Sequence, residues 1–296
     1  MFAFSKVFPG GLTSAAADGK LVSYVQSHYQ RHIKKHNFLF DDLMSRINAL
    51  RELFEETGIL LYRNRDGLSE NIGYPDPAQM HFFNDDVNMA AEWRQKVLDD
   101  PFAFEQLYRT MNCVPDILSL VPWARLQTPW GMKRRWDTRF YLALIHSEDI
   151  RENLIRPLGQ EIVQIDWLQI NDKLQSNSTL RFPPPTVMKL KELDIICNRD
   201  DMLQEEYQNA FRYRNAKAIR PKFAVCPVTK QAVILWHRDY MYNALDVEEV
   251  PCDPDNERNG NEMHRIYLRG KGKMNIAFSS DRLYESANNV GIRSKL

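Results

Sequence analysis

The most regular apolar stripe in the chain lies around residues 47–57. Ile47, Leu50, Leu53 and Phe54 fall on one face of a helix, while Glu52, Glu55 and Glu56 project from the other at i, i+3 and i+4. Gly58 is placed to close this helix in a left-handed cap, and residues 59–62 follow as an apolar strand. Turn-forming residues from Arg63 to Asp76 predict a loop. Helical spacing returns at 85–98 and 102–111, where Trp93, Phe102, Phe104, Leu107 and Tyr108 are expected to pack a helical subdomain between Pro101 and Pro115. Beta-prone runs at 136–146 and 161–167 precede a helix after the proline run 183–185. Further short strands are expected at 223–225, 232–236 and 264–269, and 283–296 reads as a loose tail.

The acidic face changes this picture most. Three carboxylates on one helix face repel one another, and a cation or a proton relieves them; all-oxygen ligation suits Mg²⁺ or Mn²⁺. Arg51 stands four residues before Glu55 for an intrahelical pair. His28, His32 and His36 also share a helical spacing, but Arg31, Lys34 and Lys35 among them favour a solvated basic helix over a metal site. Lys133, Arg134, Arg135 and Arg139 beside the strand at 136–146 are either phosphate-binding forks or a surface basic cluster.

Residues 51–59, Arg-Glu-Leu-Phe-Glu-Glu-Thr-Gly-Ile, match every specified position in the second half of the Nudix box, G-x5-E-x7-R-E-U-x-E-E-x-G-U. Upstream, Val7-Phe8-Pro9-Gly10-Gly11 resembles the lead-in of such boxes. Gly11 stands 40 positions before Arg51 where the box has 14, so an insertion of 26 residues reconciles the halves. This split box is similar to that of the Nudix motif 19 subfamily, the coenzyme A diphosphatases. Residues 136–141, Val114-Pro115-Asp116, Thr128-Pro129 and 182–186 also resemble that subfamily's pattern.

The resemblance implies an α+β fold, a Nudix α/β/α sandwich with a mixed sheet. Its hydrolase domain would span 1–270, with an insertion at 12–45, the helical subdomain at 77–120 and a tail at 271–296. It also implies Mg²⁺- or Mn²⁺-assisted hydrolysis of a linked nucleoside diphosphate. Coenzyme A or acyl-coenzyme A would give 3′,5′-ADP and (acyl-)4′-phosphopantetheine. Glu52, Glu55 and Glu56 would hold metal together with the Gly11 carbonyl, Arg51 would orient the carboxylates, and Arg135 and Arg139 would bind substrate.

The first box glutamate is displaced, with Asp41 and Asp42 as candidates to replace it and Glu161 as a second-tier site residue. Only six residues precede Val7, so the resemblance is to a family member lacking its first sheet strands. Hydrolysis of ADP-ribose or nucleotide sugars, or a non-catalytic binding protein of the same fold, stand as alternatives.

Composition narrows the setting. The chain has 39 basic and 39 acidic residues, so no global field favours nucleic acid. Four scattered cysteines signal neither zinc nor a disulfide framework, and a reduced compartment is expected. No apolar run is long enough for a membrane span. Ser294-Lys295-Leu296 occupies the last three positions as a peroxisomal import receptor would read it; mitochondrion and cytosol are the alternatives.

Overall fold

The computed structural model describes residues 7–65, 68, 76–81, 87–130, 132–146, 164–165, 182–197, 218–227, 229–237, 239–243, 263–269 and 273–278. Within them the protein is α+β. Helices α1 (Ala15–Lys35) and α2 (Phe40–Thr57) lead into β1 (Leu60–Asn64) and β2 (Gln79–His81). Next come α3 (Val87–Asp99), α4 (Ala103–Thr110), β3 (Cys113–Pro115), β4 (Val121–Gln127) and β5 (Asp137–Leu142). Then follow α5 (Pro184–Cys197), β6 (Lys222–Val225), β7 (Ala232–Leu235), β8 (His264–Arg269) and β9 (Lys273–Phe278).

The strands form an antiparallel sheet in the order β2-β1-β3, a β4-β5 pair and a β6-β7-β8-β9 meander. A parallel bridge joins Leu126 of β4 to Ile219, with backbone hydrogen bonds from Gln127 to Ile219 (2.8 Å) and from Ile219 to Arg125 (2.7 Å). Thus β4 has an antiparallel neighbour on one side and a parallel one on the other.

Because Leu43, Ile47, Leu50 and Phe54 continue one stripe, α2 starts at Phe40, eleven residues before the acidic string. Residues 12–45, expected as an insertion, therefore hold all of α1 and the start of α2. Nor is 77–120 a separate packing unit. Phe104, Leu107 and Tyr108 share one core with Tyr24 and Tyr29 of α1 and Phe54 of α2, the Phe54 and Phe104 rings stacking at 5.9 Å. Each such buried side chain contributes about 1.5–3 kcal/mol. Phe102 stays on the surface and Trp93 is half-buried.

Alternation sorts the late strands onto two faces. Ile234, Trp236 and Ile266 pack with Leu126 and with Met188 of α5, and Ala224, Val233, Leu235 and Tyr267 line the other face with Met263. Inside this sheet Arg265 forks onto Asp239 at 2.7 and 2.8 Å, both side chains fully buried.

Three expectations change. Residues 273–278, assigned to the tail, form β9 because their alternation pairs with β8, Ile276 opposite Ile266 and Met274 opposite Leu268. The α1 histidine stripe is not solvated throughout. His32 is buried edge-on to Tyr29 at 6.0 Å, because the helix turns Tyr24, Tyr29 and His32 inward. Cys226 is disulfide-bonded, against the expectation of a wholly unpaired set, since spacing along the chain does not report contact across it; Cys113 is a free buried thiol. Among the described residues no helix is long and apolar enough to cross a membrane.

Candidate active site at the end of the second helix

The side chains singled out on α2 meet at Arg51. Its Nε donates to Asp18 Oδ1 at 3.0 Å and its Nη1 to Glu55 Oε1 at 2.7 Å. Nη2 lies 3.0 Å from Glu52 Oε1 and donates to Asn48 Oδ1 (2.7 Å) and to the Leu12 carbonyl (3.1 Å). Burial alone would disfavour the guanidinium's charge, but the hydrogen bonds and charges of Asp18 and Glu55 hold it protonated well above the ordinary arginine range. Burial likewise pushes the Glu55 carboxyl up, and Glu52 and Asp18 add to that against the pull of Arg51. The acidic face is therefore not an open array of like charges: Glu52 and Glu55 are buried, Glu56 is half-buried, and one cation serves three carboxylates.

The loop before α1 completes the wall. Phe8 packs edge-on against Trp123 of β4 and Phe140 of β5, with ring centroids 6.2 and 6.1 Å apart, which ties the Phe-Pro-Gly-Gly segment to the β4-β5 pair. The backbone then runs directly against Glu52. A Cβ on Gly11 would stand 2.4 Å from one Glu52 carboxylate oxygen and 2.5 Å from the other, so any side chain here would push that carboxylate aside. Asn48 donates to the Gly11 carbonyl at 3.3 Å.

At the C-terminus of α2, Gly58 takes a left-handed φ of 81° and its N–H returns to the Phe54 carbonyl. Thr57 Oγ1 donates to the Leu53 carbonyl at 2.6 Å. Arg94 of α3, buried, donates through Nη2 to the carbonyls of Glu55 (2.9 Å) and Glu56 (2.8 Å). These are among the carbonyls a helix end leaves without an intrahelical partner.

Among the described residues it is Asp18, not Asp41 or Asp42, that pairs with Arg51; it stands seven positions after Gly11, where the box pattern has its glutamate at six. Asp42 instead pairs with Arg46 at 2.9 Å and accepts from Tyr141 at 3.3 Å, well up the helix from Glu52. The sequence did carry a signal for Asp18. Ser14 caps α1, its own N–H donates to Asp18 Oδ2 at 2.7 Å, and serine followed by an acid in the first turn is a helix-start pattern.

The candidate substrate cations are not drawn to the glutamates. Arg139 donates to the Asp41 carbonyl at 3.2 Å, eleven residues or about 16 Å of helix from Glu52. Arg135 stacks on the Trp130 ring at 3.8 Å. Glu161 and the C-terminal Ser294, Lys295 and Leu296 lie outside the described residues.

Among the described residues no three or more His, Cys, Asp or Glu side chains are gathered as a self-sufficient metal cage. The donors present nonetheless fit Mg²⁺ or Mn²⁺, which bind through one or two carboxylates and complete their shells with water and phosphate oxygens. Glu52 beside the backbone of Gly11, with Glu56 one turn on, offers that chemistry without softer ligands.

The family described as NUDT19 Nudix domain matches residues 22–193. A human protein named acyl-coenzyme A diphosphatase NUDT19 is 30% identical over 55% of this chain and 42% of its own. A Gallus gallus protein of the same name is 28% identical over 83% of this chain and 59% of its own. The chain thus spans roughly half the length of the curated relatives it matches. A crystal structure of a NUDIX hydrolase from Alicyclobacillus acidocaldarius covers 65% of this chain and 78% of its own at 22% identity, with a TM-score of 0.47.

Proposed function

Because this chain belongs to the NUDT19 Nudix domain family, we propose that it is a pyrophosphohydrolase that cleaves coenzyme A or acyl-coenzyme A at the diphosphate. The products are 3′,5′-ADP and (acyl-)4′-phosphopantetheine. The substrate class follows the names of the human and Gallus gallus relatives. The observation that carries the chemistry is the packing of the Gly11 backbone onto the Glu52 carboxylate beside Arg51.

In this reading Glu52, Glu56 and the Gly11 carbonyl hold Mg²⁺ or Mn²⁺. Such an ion supplies neutralisation of the diphosphate and acidification of a water. The protein's own groups orient the reactants. Arg51 pairs with Glu52 at 3.0 Å and draws Glu55 aside at 2.7 Å, and Glu52 and Glu56 are the carboxylates that meet the ligand in this reading. Asp18 fixes Arg51 in turn. Delivery to the peroxisome through Ser294, Lys295 and Leu296 belongs to the same proposal.

Product analysis tests it. Purified full chain with Mg²⁺ or Mn²⁺ is offered coenzyme A, acetyl-coenzyme A and ADP-ribose beside a Glu55→Gln/Glu56→Gln control. Release of 3′,5′-ADP by the parent alone is the expected result. Turnover of ADP-ribose and not of coenzyme A would overturn the substrate while keeping the chemistry.

A further inference from the structure

We propose that Arg94, contributed by α3, is a positioning residue for the last turn of α2: it holds the backbone of Glu55 and Glu56 so that the Glu56 carboxylate stays aimed for divalent ions while Glu55 stays on Arg51. The proposal rests on the metal-dependent reading of the site above. A helix ends with carbonyls that no downstream N–H can reach, and the turn carrying them frays first. Here that turn bears the chemistry. Gly58 N–H takes the Phe54 carbonyl and Thr57 Oγ1 takes that of Leu53, so the next two, those of Glu55 and Glu56, need donors from elsewhere.

Arg94 reaches both with one guanidinium. Nη2 bridges the pair at 2.9 and 2.8 Å, and Nε adds a longer bond to Glu55 at 3.3 Å. The fork geometry matters, because a point cation can centre on one carbonyl but cannot span two in a fixed plane. Its charge also sits at the negative end of the α2 dipole.

Arg94 lies over Gly58. A Cβ there would stand 3.4 Å from Arg94 Cδ and 3.7 Å from Nη1, in ordinary contact, while the φ of 81° disfavours any larger residue. The helical segment is thereby tied to the catalytic helix by its side chain as well as by the shared core. Burial lowers the proton affinity of Arg94 to about 10, so the protein keeps a cation here against a desolvation cost. Carboxylates that must meet a metal ion tolerate displacements of only about 0.5 Å, which gives such bracing a function beyond stability.

The test compares Arg94→Gln and Arg94→Lys with Leu107→Ala, a fully buried core change on α4 that weakens the fold and removes no hydrogen bond to the Glu55 and Glu56 carbonyls. Mn²⁺ binding to each folded full chain is read from the electron paramagnetic resonance signal of the free ion. The kcat and KM for coenzyme A and the Tm are measured beside it. Arg94→Gln is expected to weaken Mn²⁺ binding about tenfold and to lower kcat with KM little changed, while Arg94→Lys recovers part of both. Leu107→Ala is expected to lower Tm and leave Mn²⁺ affinity at the parent value. Parent-like Mn²⁺ affinity and kcat in Arg94→Gln, with only Tm reduced, would reduce Arg94 to a structural cap and overturn the proposal. If the parent itself bound no Mn²⁺, the reading of the site would fall first and this inference with it.

Discussion

Two buried arginines five residues apart on α2 are satisfied in opposite ways. Arg46, with no exposed surface, gives Nε to Asp42 at 2.9 Å and Nη1 to the carbonyls of Ile117 and Leu120, with Phe38 and Tyr141 stacked at 4.6 and 5.2 Å. The partners of Arg46 are thus one carboxylate, two carbonyls and two rings. Arg51 draws Asp18, Glu52 and Glu55 onto a single guanidinium. The first arrangement belongs to the core. The second gathers three like charges beside a glycine backbone, a crowding that a bound divalent cation relieves. Burial alone does not separate architecture from chemistry on one helix; the balance of charge around each arginine does.

The largest expected effect breaks the chemical end. Glu56→Gln should lower kcat roughly a thousandfold while urea unfolding shifts little, because the side chain is only half-buried and the substitution keeps its volume. The reverse pattern is expected at the other arginine. Arg46→Met should cost about 3 to 5 kcal/mol of stability by stranding Asp42 and two buried carbonyls, and a chemical-denaturation curve with parent-like kcat at low temperature checks it.

Asp18→Asn lies between these extremes. It keeps the hydrogen bond to Arg51 Nε but removes a charge, so kcat should fall about 10- to 100-fold with a modest loss of stability. Steady-state rates beside Tm measure both. A failure to slow the reaction would mean that Arg51 orients the glutamates without Asp18.

A third buried pair sharpens the contrast through pH. Asp116 Oδ1 accepts from Arg63 Nε at 2.7 Å, while its Oδ2 is buried and has no hydrogen-bond partner among the described residues. Burial raises its carboxyl to about 6 despite Arg63. A carboxyl raised in the folded state binds more protons there than when unfolded. Its stabilising contribution is full below about 3.9 and is lost as pH rises through about 6. Unfolding free energy in the parent should therefore decline by an amount on the order of 2 kcal/mol across that window relative to Asp116→Asn. Parallel curves for the two proteins from pH 4 to 7 would contradict the assignment.

What the sequence made legible was local. The string 51–58 fixes its own helix face, its i,i+4 pair and its left-handed cap, and each is found where the spacing puts it. The late strands were also readable, because alternation is a neighbour-to-neighbour signal. Partners distant along the chain were not. Asp18 reaches Arg51 from 33 residues away and Arg94 reaches Glu55 from 39, and no periodicity reports how α1 and α3 lie against α2. The acid nearest in sequence, Asp42, was the natural candidate and belongs instead to the Arg46 end. Strand β4 was hidden by Pro122 and the irregular pairing between Pro122 and Ala124, since proline and a bulge both interrupt the pattern that marks a strand.

The contrast between the two arginines is tested most directly by titrating Mn²⁺ into the parent, Asp42→Asn and Glu56→Gln and reading the free ion by electron paramagnetic resonance. The account predicts saturable binding to the parent, the same affinity in Asp42→Asn and at least a tenfold loss in Glu56→Gln. Equal binding by all three folded proteins, or binding by none, would contradict the assignment of the Arg51 end of α2 as the chemical one.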